Sequence, residues 1–153
     1  MTIKNILKVV GIIVLGFVLI QLIPYGRNHT NPPVVAEPKW DSPQTRELAK
    51  RACMDCHSNE TVWPWYSVIA PGSWLIQKDV DEAREIFNLS NWQGISGNNQ
   101  ARERADAKEI NEVITRGSMP PNKYLILHPN AALSQSERTQ LAAGLLKSLG
   151  FSK

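Results

Sequence analysis

Cys53-Met54-Asp55-Cys56-His57 contains both cysteines of the 153-residue chain, and what these five residues do decides how the rest is built. A thioredoxin-like redox pair follows a strand in a βαβ pattern, whereas a helical segment precedes Cys53 and no such unit is visible. A zinc site needs two further Cys or His ligands, and only His29 and His128 remain, both distant in sequence. A structural disulfide fits an exported chain but leaves the adjacent His57 unexplained. Covalent haem attachment accounts for all three residues. Two thiols add to the two vinyl groups on one haem edge, and the neighbouring imidazole reaches the iron, so that consecutive residues fix the ring by three bonds. The spacing predicts one c-type haem held by Cys53 and Cys56, with His57 as an iron ligand.

The second axial ligand is sought among the remaining methionines and histidines. Met119 lies in Gly117-Ser118-Met119-Pro120-Pro121, a rigid non-helical stretch after a helical segment that presents one thioether at a defined place. A Met sulfur on the sixth position raises the potential and blocks exogenous ligands, which suits electron transfer. His128, in Leu127-His128-Pro129, is the alternative, and two histidines would give a lower potential. Met54 sits inside the attachment loop and Met1 precedes the apolar run, so neither competes.

Helical patterns flank the motif. Ser42-Pro43 supplies an N-cap and an N1 proline, and Leu48, Ala49 and Ala52 form an apolar stripe running into Cys53. Asp79 to Asn88 places Val80, Ala83, Ile86 and Phe87 on one face. Residues 100 to 116 form a charged helix with Ile110, Val113 and Ile114 in its second half and Gly117 as its stop. Ser134-Gln135-Ser136-Glu137 is a capping box, after which Leu141, Leu145, Leu146 and Leu149 recur at helical spacing up to Gly150. No period-two strand appears. The expected fold is all-α, a small helical domain with long loops around one covalent haem, with the first and last of these helices crossing beside it. Between the helices lies the aromatic stretch Val62-Trp63-Pro64-Trp65-Tyr66, followed by Ser73-Trp74-Leu75 and Trp92. Trp63, Trp65 and Trp74 are candidates for the wall of the haem pocket, although in so small a domain core and pocket wall overlap.

At the N-terminus, Lys4 and Lys8 precede a run from Val9 to Ile23 that is apolar except for Gln21 and two glycines, followed by Pro24-Tyr25-Gly26-Arg27. No Ala-x-Ala-like cleavage site follows it, so residues 1–27 read as an uncleaved single-span anchor. A buried core helix would show a polar stripe, which Val9 to Ile20 lacks. The positive-inside rule leaves Lys4 and Lys8 on the cytoplasmic side and puts the haem domain on the periplasmic or extracytoplasmic side of the cytoplasmic membrane. Residues 28–41 contain three prolines and no periodicity, as an extended linker would, and the haem domain is expected over 42–153.

The net charge of +3 and pI near 9.0 do not point to nucleic acid. Arg46, Lys50, Arg51, Arg102, Arg104 and Lys108 are interleaved with Glu47, Glu103, Asp106 and Glu109 rather than gathered on one face. No Ser/His/Asp set, phosphate loop or paired-carboxylate signature suggests other enzymology.

Cys-Met-Asp-Cys-His-Ser-Asn-Glu-Thr-Val-Trp-Pro-Trp-Tyr-Ser-Val-Ile-Ala-Pro-Gly-Ser-Trp-Leu, then Asn-Leu-Ser-Asn-Trp, Met-Pro-Pro-Asn-Lys-Tyr and His-Pro-Asn-Ala-Ala-Leu-Ser, resembles the bacterial haem-binding domain proteins over about residues 29 to 149. The block from Trp63 to Trp74 is far more specific to that family than C-x-x-C-H alone. The resemblance implies covalent haem at Cys53 and Cys56, proximal ligation by His57, and Met119 at the family's Met-Pro-Pro position. The family's glycine before the arginine matched by Arg84 is replaced here by Ala83. His57 first and Met119 about sixty residues later also resembles the order in class I cytochromes c, a resemblance that implies a cytochrome c-like fold.

The function expected is one-electron transfer outside the cytoplasm between an exported donor and a redox partner protein, without enzymatic turnover. The alternatives are a haem-based sensor or small-ligand binder and, after it, a peroxidase-like enzyme. The last would recruit Arg84 and His128 on an open distal side.

Overall fold

The computed structural model describes residues 2–92 and 100–151, with residues 100–105 described by their backbone alone. Seven α-helices form among them: α1 (Ile3–Ile20), α2 (Pro43–Ala52), α3 (Met54–His57), α4 (Gly72–Ile86), α5 (Gln100–Thr115), α6 (Asn122–Leu125) and α7 (Gln135–Ser148). Short 3-10 turns occupy Trp65–Val68 and Pro129–Ala131. The one β interaction among the described residues is an isolated parallel bridge from Ala36 to Asn91. The chain is all-α, as its patterning predicts. It divides into two compact units, Met1–Thr30 with Val62–Glu82 and Asn31–Thr61 with Ala83–Lys153.

In the first unit, α1 is an 18-residue helix of mean hydropathy 2.3 with no buried residue. At roughly 1.5 Å per residue it is about 27 Å long, close to the thickness of a bilayer's hydrocarbon layer. By length and composition it is able to cross a membrane. Gln21, the polar residue that interrupts the apolar run, folds its amide onto one backbone position: Nε2 donates to Ala70 O at 3.0 Å and Oε1 accepts from Ala70 N–H at 3.0 Å. Arg27 Nη2 donates to the same Oε1 at 3.1 Å. Gly26, at φ +75°, lies so close to the Ser73 carbonyl that a Cβ would overlap it.

The helix expected at 79–88 begins earlier, at Gly72, and ends earlier, at Ile86. Its entry is set by Pro71, whose carbonyl accepts from the Trp74 and Leu75 N–H groups at 3.2 and 3.3 Å. Proline and glycine here open a helix, although in sequence they read as a turn. At the far end, the Asn88 side chain is spent on loop contacts, accepting from Ser90 N–H and donating to Asn59 Oδ1.

The second unit is organised by α7. Its first turn carries the expected capping box: Ser134 Oγ accepts from Glu137 N–H at 3.3 Å, and Glu137 Oε2 accepts from Ser134 N–H at 2.8 Å. Leu141, Ala142, Leu145 and Leu149 pack with Leu48, Ala49 and Ala52 of α2, Met54 of α3, Ile114 of α5, and Leu89 and Leu133. Each fully buried leucine stabilises the unit by about 1.5–3 kcal/mol relative to exposure. α2 starts as expected, with Ser42 Oγ accepting from Thr45 N–H and Pro43 behind the cap. Asn31 to Asp41 runs extended along this unit. Val35 and Ala36 donate to Ser90 O, Trp92 donates to Ala36 O, and Asn59 Nδ2 donates to Pro33 O.

α2 and α7 meet where α7 carries no side chain. A Cβ on Gly144 would overlap Thr45 Oγ1 and stand 2.8 Å from Thr45 Cγ2 and 2.9 Å from Asp41 Oδ1. Gly144→Val is expected to destabilise the folded protein by roughly 1–3 kcal/mol through overpacking, read as a lower midpoint in urea denaturation.

Arg51 Nη2 donates to Glu137 Oε1 at 2.6 Å, joining the end of α2 to the start of α7. The Ser134 backbone N–H first, and Arg51 after it, hold the Glu137 carboxyl down to about 2 from an ordinary 4.5. A carboxyl with a depressed folded-state value binds fewer protons folded than unfolded. Its stabilisation is therefore complete above about pH 4.5 and lost as the pH falls toward 2. Glu137→Gln should accordingly shrink the drop in urea midpoint between pH 5 and pH 2 relative to the parent protein.

Candidate functional site

Cys53 closes α2, with its N–H on Ala49 O at 2.8 Å, and opens α3, where the Cys56 and His57 N–H groups both return to Cys53 O at 3.1 and 2.8 Å. The motif is thus one tight helical turn. Neither cysteine is in a disulfide, and both are half-buried. Burial, and after it the neighbouring Cys56, pushes the Cys53 thiol up to about 12, which keeps it protonated at neutral pH.

His57 is fixed by the end of α4. Its Nδ1 lies 3.0 Å from Ala83 O and 3.2 Å from Phe87 O. Its ring stacks on Phe87 with centroids 4.4 Å apart and 21° between planes. The last carbonyls of a helix lack intrahelical donors, so a ring N–H aimed at them is well matched. Two carbonyl acceptors at Nδ1 place the proton there and leave the lone pair on Nε2. Burial lowers the His57 pKa below its usual value, opposed by the Phe87 and Ala83 carbonyls, and the ring is neutral at pH 7.

The loop after the motif is held by polar side chains that sequence patterning did not single out. Ser58 Oγ donates to Met54 O at 2.6 Å and Thr61 Oγ1 to Asp55 O at 2.7 Å. Leu89 N–H donates to His57 O at 2.8 Å. Arg84, a candidate distal residue in the peroxidase alternative, spends its guanidinium on Ser58 O at 2.8 Å, Thr61 Oγ1 at 2.9 Å and Asn31 Oδ1 at 3.1 Å. The signal in the sequence was a run of small polar residues, Ser58, Asn59 and Thr61, directly after His57.

The segment carrying both candidate sixth ligands reaches the motif through Tyr124, whose hydroxyl donates to Asp55 Oδ2 at 2.6 Å. His128 stacks on the Tyr124 ring, centroids 4.0 Å apart and 8° between planes, with Nδ1 3.1 Å from the Tyr124 carbonyl. Met119 has its main chain pinned on both sides: its N–H donates to Val113 O at 3.0 Å, and its carbonyl accepts from Arg138 Nη1 at 3.0 Å. Arg138 fits because Gly117, at φ +81°, has no Cβ to approach its guanidinium. Met119 is 39% exposed.

Of the tryptophans expected near the cofactor, all three belong to the first unit. Trp63 stacks on His29 at 4.6 Å and 8°. Trp65 is 78% exposed. Trp74 buries its indole N–H without a hydrogen-bond partner among the described residues.

Among known proteins, residues 15–147 match the model of the haem-binding domain family. Over 100 residues the chain is 26% identical to the cytochrome c peroxidase Ccp of Escherichia coli (strain K12), a stretch covering 65% of this chain and 22% of that protein. The chain therefore spans about a fifth of the length of this curated relative. No solved structure matches. With an anchored histidine within one turn of both cysteines, and a match that covers most of the sequence, the chain belongs to the haem-binding domain family.

Proposed function

We propose that the chain holds one haem c through thioether bonds from Cys53 and Cys56, with His57 Nε2 on the iron, and that it carries single electrons outside the cytoplasm. The observation that carries this is the placement of His57 Nδ1 within hydrogen-bond reach of two backbone carbonyls. This Nδ1 is committed to the Ala83 and Phe87 carbonyls, so the nitrogen left with a lone pair belongs to a neutral ring beside the Cys53 and Cys56 side chains. Those donors fit haem c. Bound haem would supply the one-electron couple of its iron. The protein's own contributions are to orient the imidazole, exclude water from it with Phe87, and hold the residue 117–128 segment against the motif through Tyr124 and Asp55.

Met119 is the proposed sixth ligand and His128 the alternative. Met119 is favoured because Val113 and Arg138 fix its main chain while the residue stays partly exposed. Residues 1–27 serve as the anchor, with Lys4 and Lys8 on the cytoplasmic side and the haem-binding residues on the periplasmic side, where a partner protein exchanges electrons.

Similarity to a cytochrome c peroxidase supports a second reading, a haem with an open or displaceable sixth position that binds small ligands or turns over peroxide. Absorption spectra of the protein made with haem-attachment machinery separate the two. Haem that resists acid–acetone extraction, with a sharp low-spin reduced spectrum unchanged by carbon monoxide, is expected for the carrier. Covalent haem that binds carbon monoxide readily selects the second reading, and extractable haem rejects thioether attachment.

Met119→Ala is expected to abolish the low-spin spectrum and lower the reduction potential, while His128→Ala leaves both in place; the reverse pattern would assign the ligand to His128. Tyr124→Phe deletes a hydrogen bond to a carboxylate and should cost about 1.5–3 kcal/mol in chemical denaturation of the haem-loaded protein, with the haem retained.

A further inference from the structure

Residues 61–77, Thr-Val-Trp-Pro-Trp-Tyr-Ser-Val-Ile-Ala-Pro-Gly-Ser-Trp-Leu-Ile-Gln, contain no Asp, Glu, Lys or Arg, in a chain that is 20% charged. Glu60 and Lys78 bound the gap. A segment of this composition would normally be core, yet several of its large side chains face outward: Trp65 is 78% exposed, Leu75 62%, Val68 46% and Ile69 38%. Single exposed apolar residues are ordinary, whereas a group of them on one uncharged segment marks a surface that meets something apolar.

What that surface meets follows from where the segment is attached. Gln21 is the first residue after the apolar helix α1, and both polar atoms of its side chain are bonded to Ala70, in the middle of the segment. A second tie joins Ser73 Oγ to Tyr25 O at 3.4 Å, and a third is the Gly26–Ser73 backbone contact that leaves no room for a side chain. The segment is therefore fastened to the end of α1, the level at which a spanning helix leaves hydrocarbon for headgroups. Leu22, Ile23 and Tyr25, all exposed, continue the same apolar character from the helix side. Tryptophan and tyrosine favour that level because their rings are apolar and their N–H and O–H groups stay hydrated.

Resting on the membrane-spanning role given to α1 above, we propose that the 62–77 segment is a second membrane contact, with Trp65, Val68 and Leu75 seated at the headgroup–acyl boundary of the leaflet where α1 emerges. The occupant of this surface is phospholipid. Sixteen residues without a formal charge cross no charged barrier on entering it, and α1 supplies the tether that keeps them there.

The test is photocrosslinking of the full-length, haem-loaded chain in bilayer discs of phosphatidylethanolamine and phosphatidylglycerol. A benzophenone amino acid replaces Phe17 within the span or Trp65 in the segment, and the peptides are weighed after irradiation. Position 68 serves as a second site in the segment, and haem retention reports folding. Phospholipid-mass adducts at 17 and also at 65 and 68 are expected. Adducts at 17 with none at 65 or 68 would overturn the second contact and leave the anchor standing. An absence of adducts at 17 would remove the anchor, and the proposed contact with it.

Discussion

A histidine turned inward against an aromatic ring must still satisfy its ring N–H, and His57 does so with the Ala83 and Phe87 carbonyls. Much of the second unit is arranged around that bond. The terminus of α4 has to stop where its free carbonyls face the ring, so the chain turns at Asn88 and returns Leu89 N–H to His57 O. Arg84, one residue after an accepting carbonyl, grips the loop that follows the motif, so helix end, histidine and loop are held as one body. The motif's other side is closed by Asp55 and Tyr124. Disturbing α4's last turn would thus move the imidazole directly, without any change inside Cys53–His57.

Local chemistry was well expressed in the sequence. The Ser42–Pro43 start, the capping box at Ser134–Glu137 and the leucine repeat of α7 all appear where their spacing places them, because each depends on residues within one or two turns. The start of α4 at Gly72 was not legible, since Ala70-Pro71-Gly72 has the composition of a turn and becomes a helix entry only because the Pro71 carbonyl, just before the first helical residue, accepts from the Trp74 and Leu75 N–H groups. Around the motif, the two thiols and the histidine could be picked out by spacing alone. The acceptors of the His57 proton lie 26 and 30 residues away, and the Tyr124 hydroxyl is 69 residues from Asp55. Contacts of that separation carry no periodicity, and only the fold brings them out.

The two units use glutamine and arginine for similar ends at different places. Gln21 and Arg138 each saturate backbone groups that lie outside any regular helix pairing, the first at Ala70 and the second at Ile114 and Met119. Each unit also holds a glycine with positive φ whose missing side chain lets another group approach, the Ser73 carbonyl at Gly26 and the Arg138 guanidinium at Gly117. In a domain with long loops, backbone groups left over by short helices need such partners, since a buried orphan would cost about 1–3 kcal/mol.

The crossing of α2 and α7 has a bearing on how this sequence can drift. Thr45 is 1% exposed and fills the space that a side chain on Gly144 would need, so the effect of a change at either position depends on the residue at the other. A larger residue at 144 becomes tolerable only on a background where 45 has already shrunk, and a smaller residue at 45 opens a void until 144 grows. The two sites therefore behave as one epistatic pair, and among descendants of this chain they are expected to be inherited together or exchanged in a fixed order, 45 before 144.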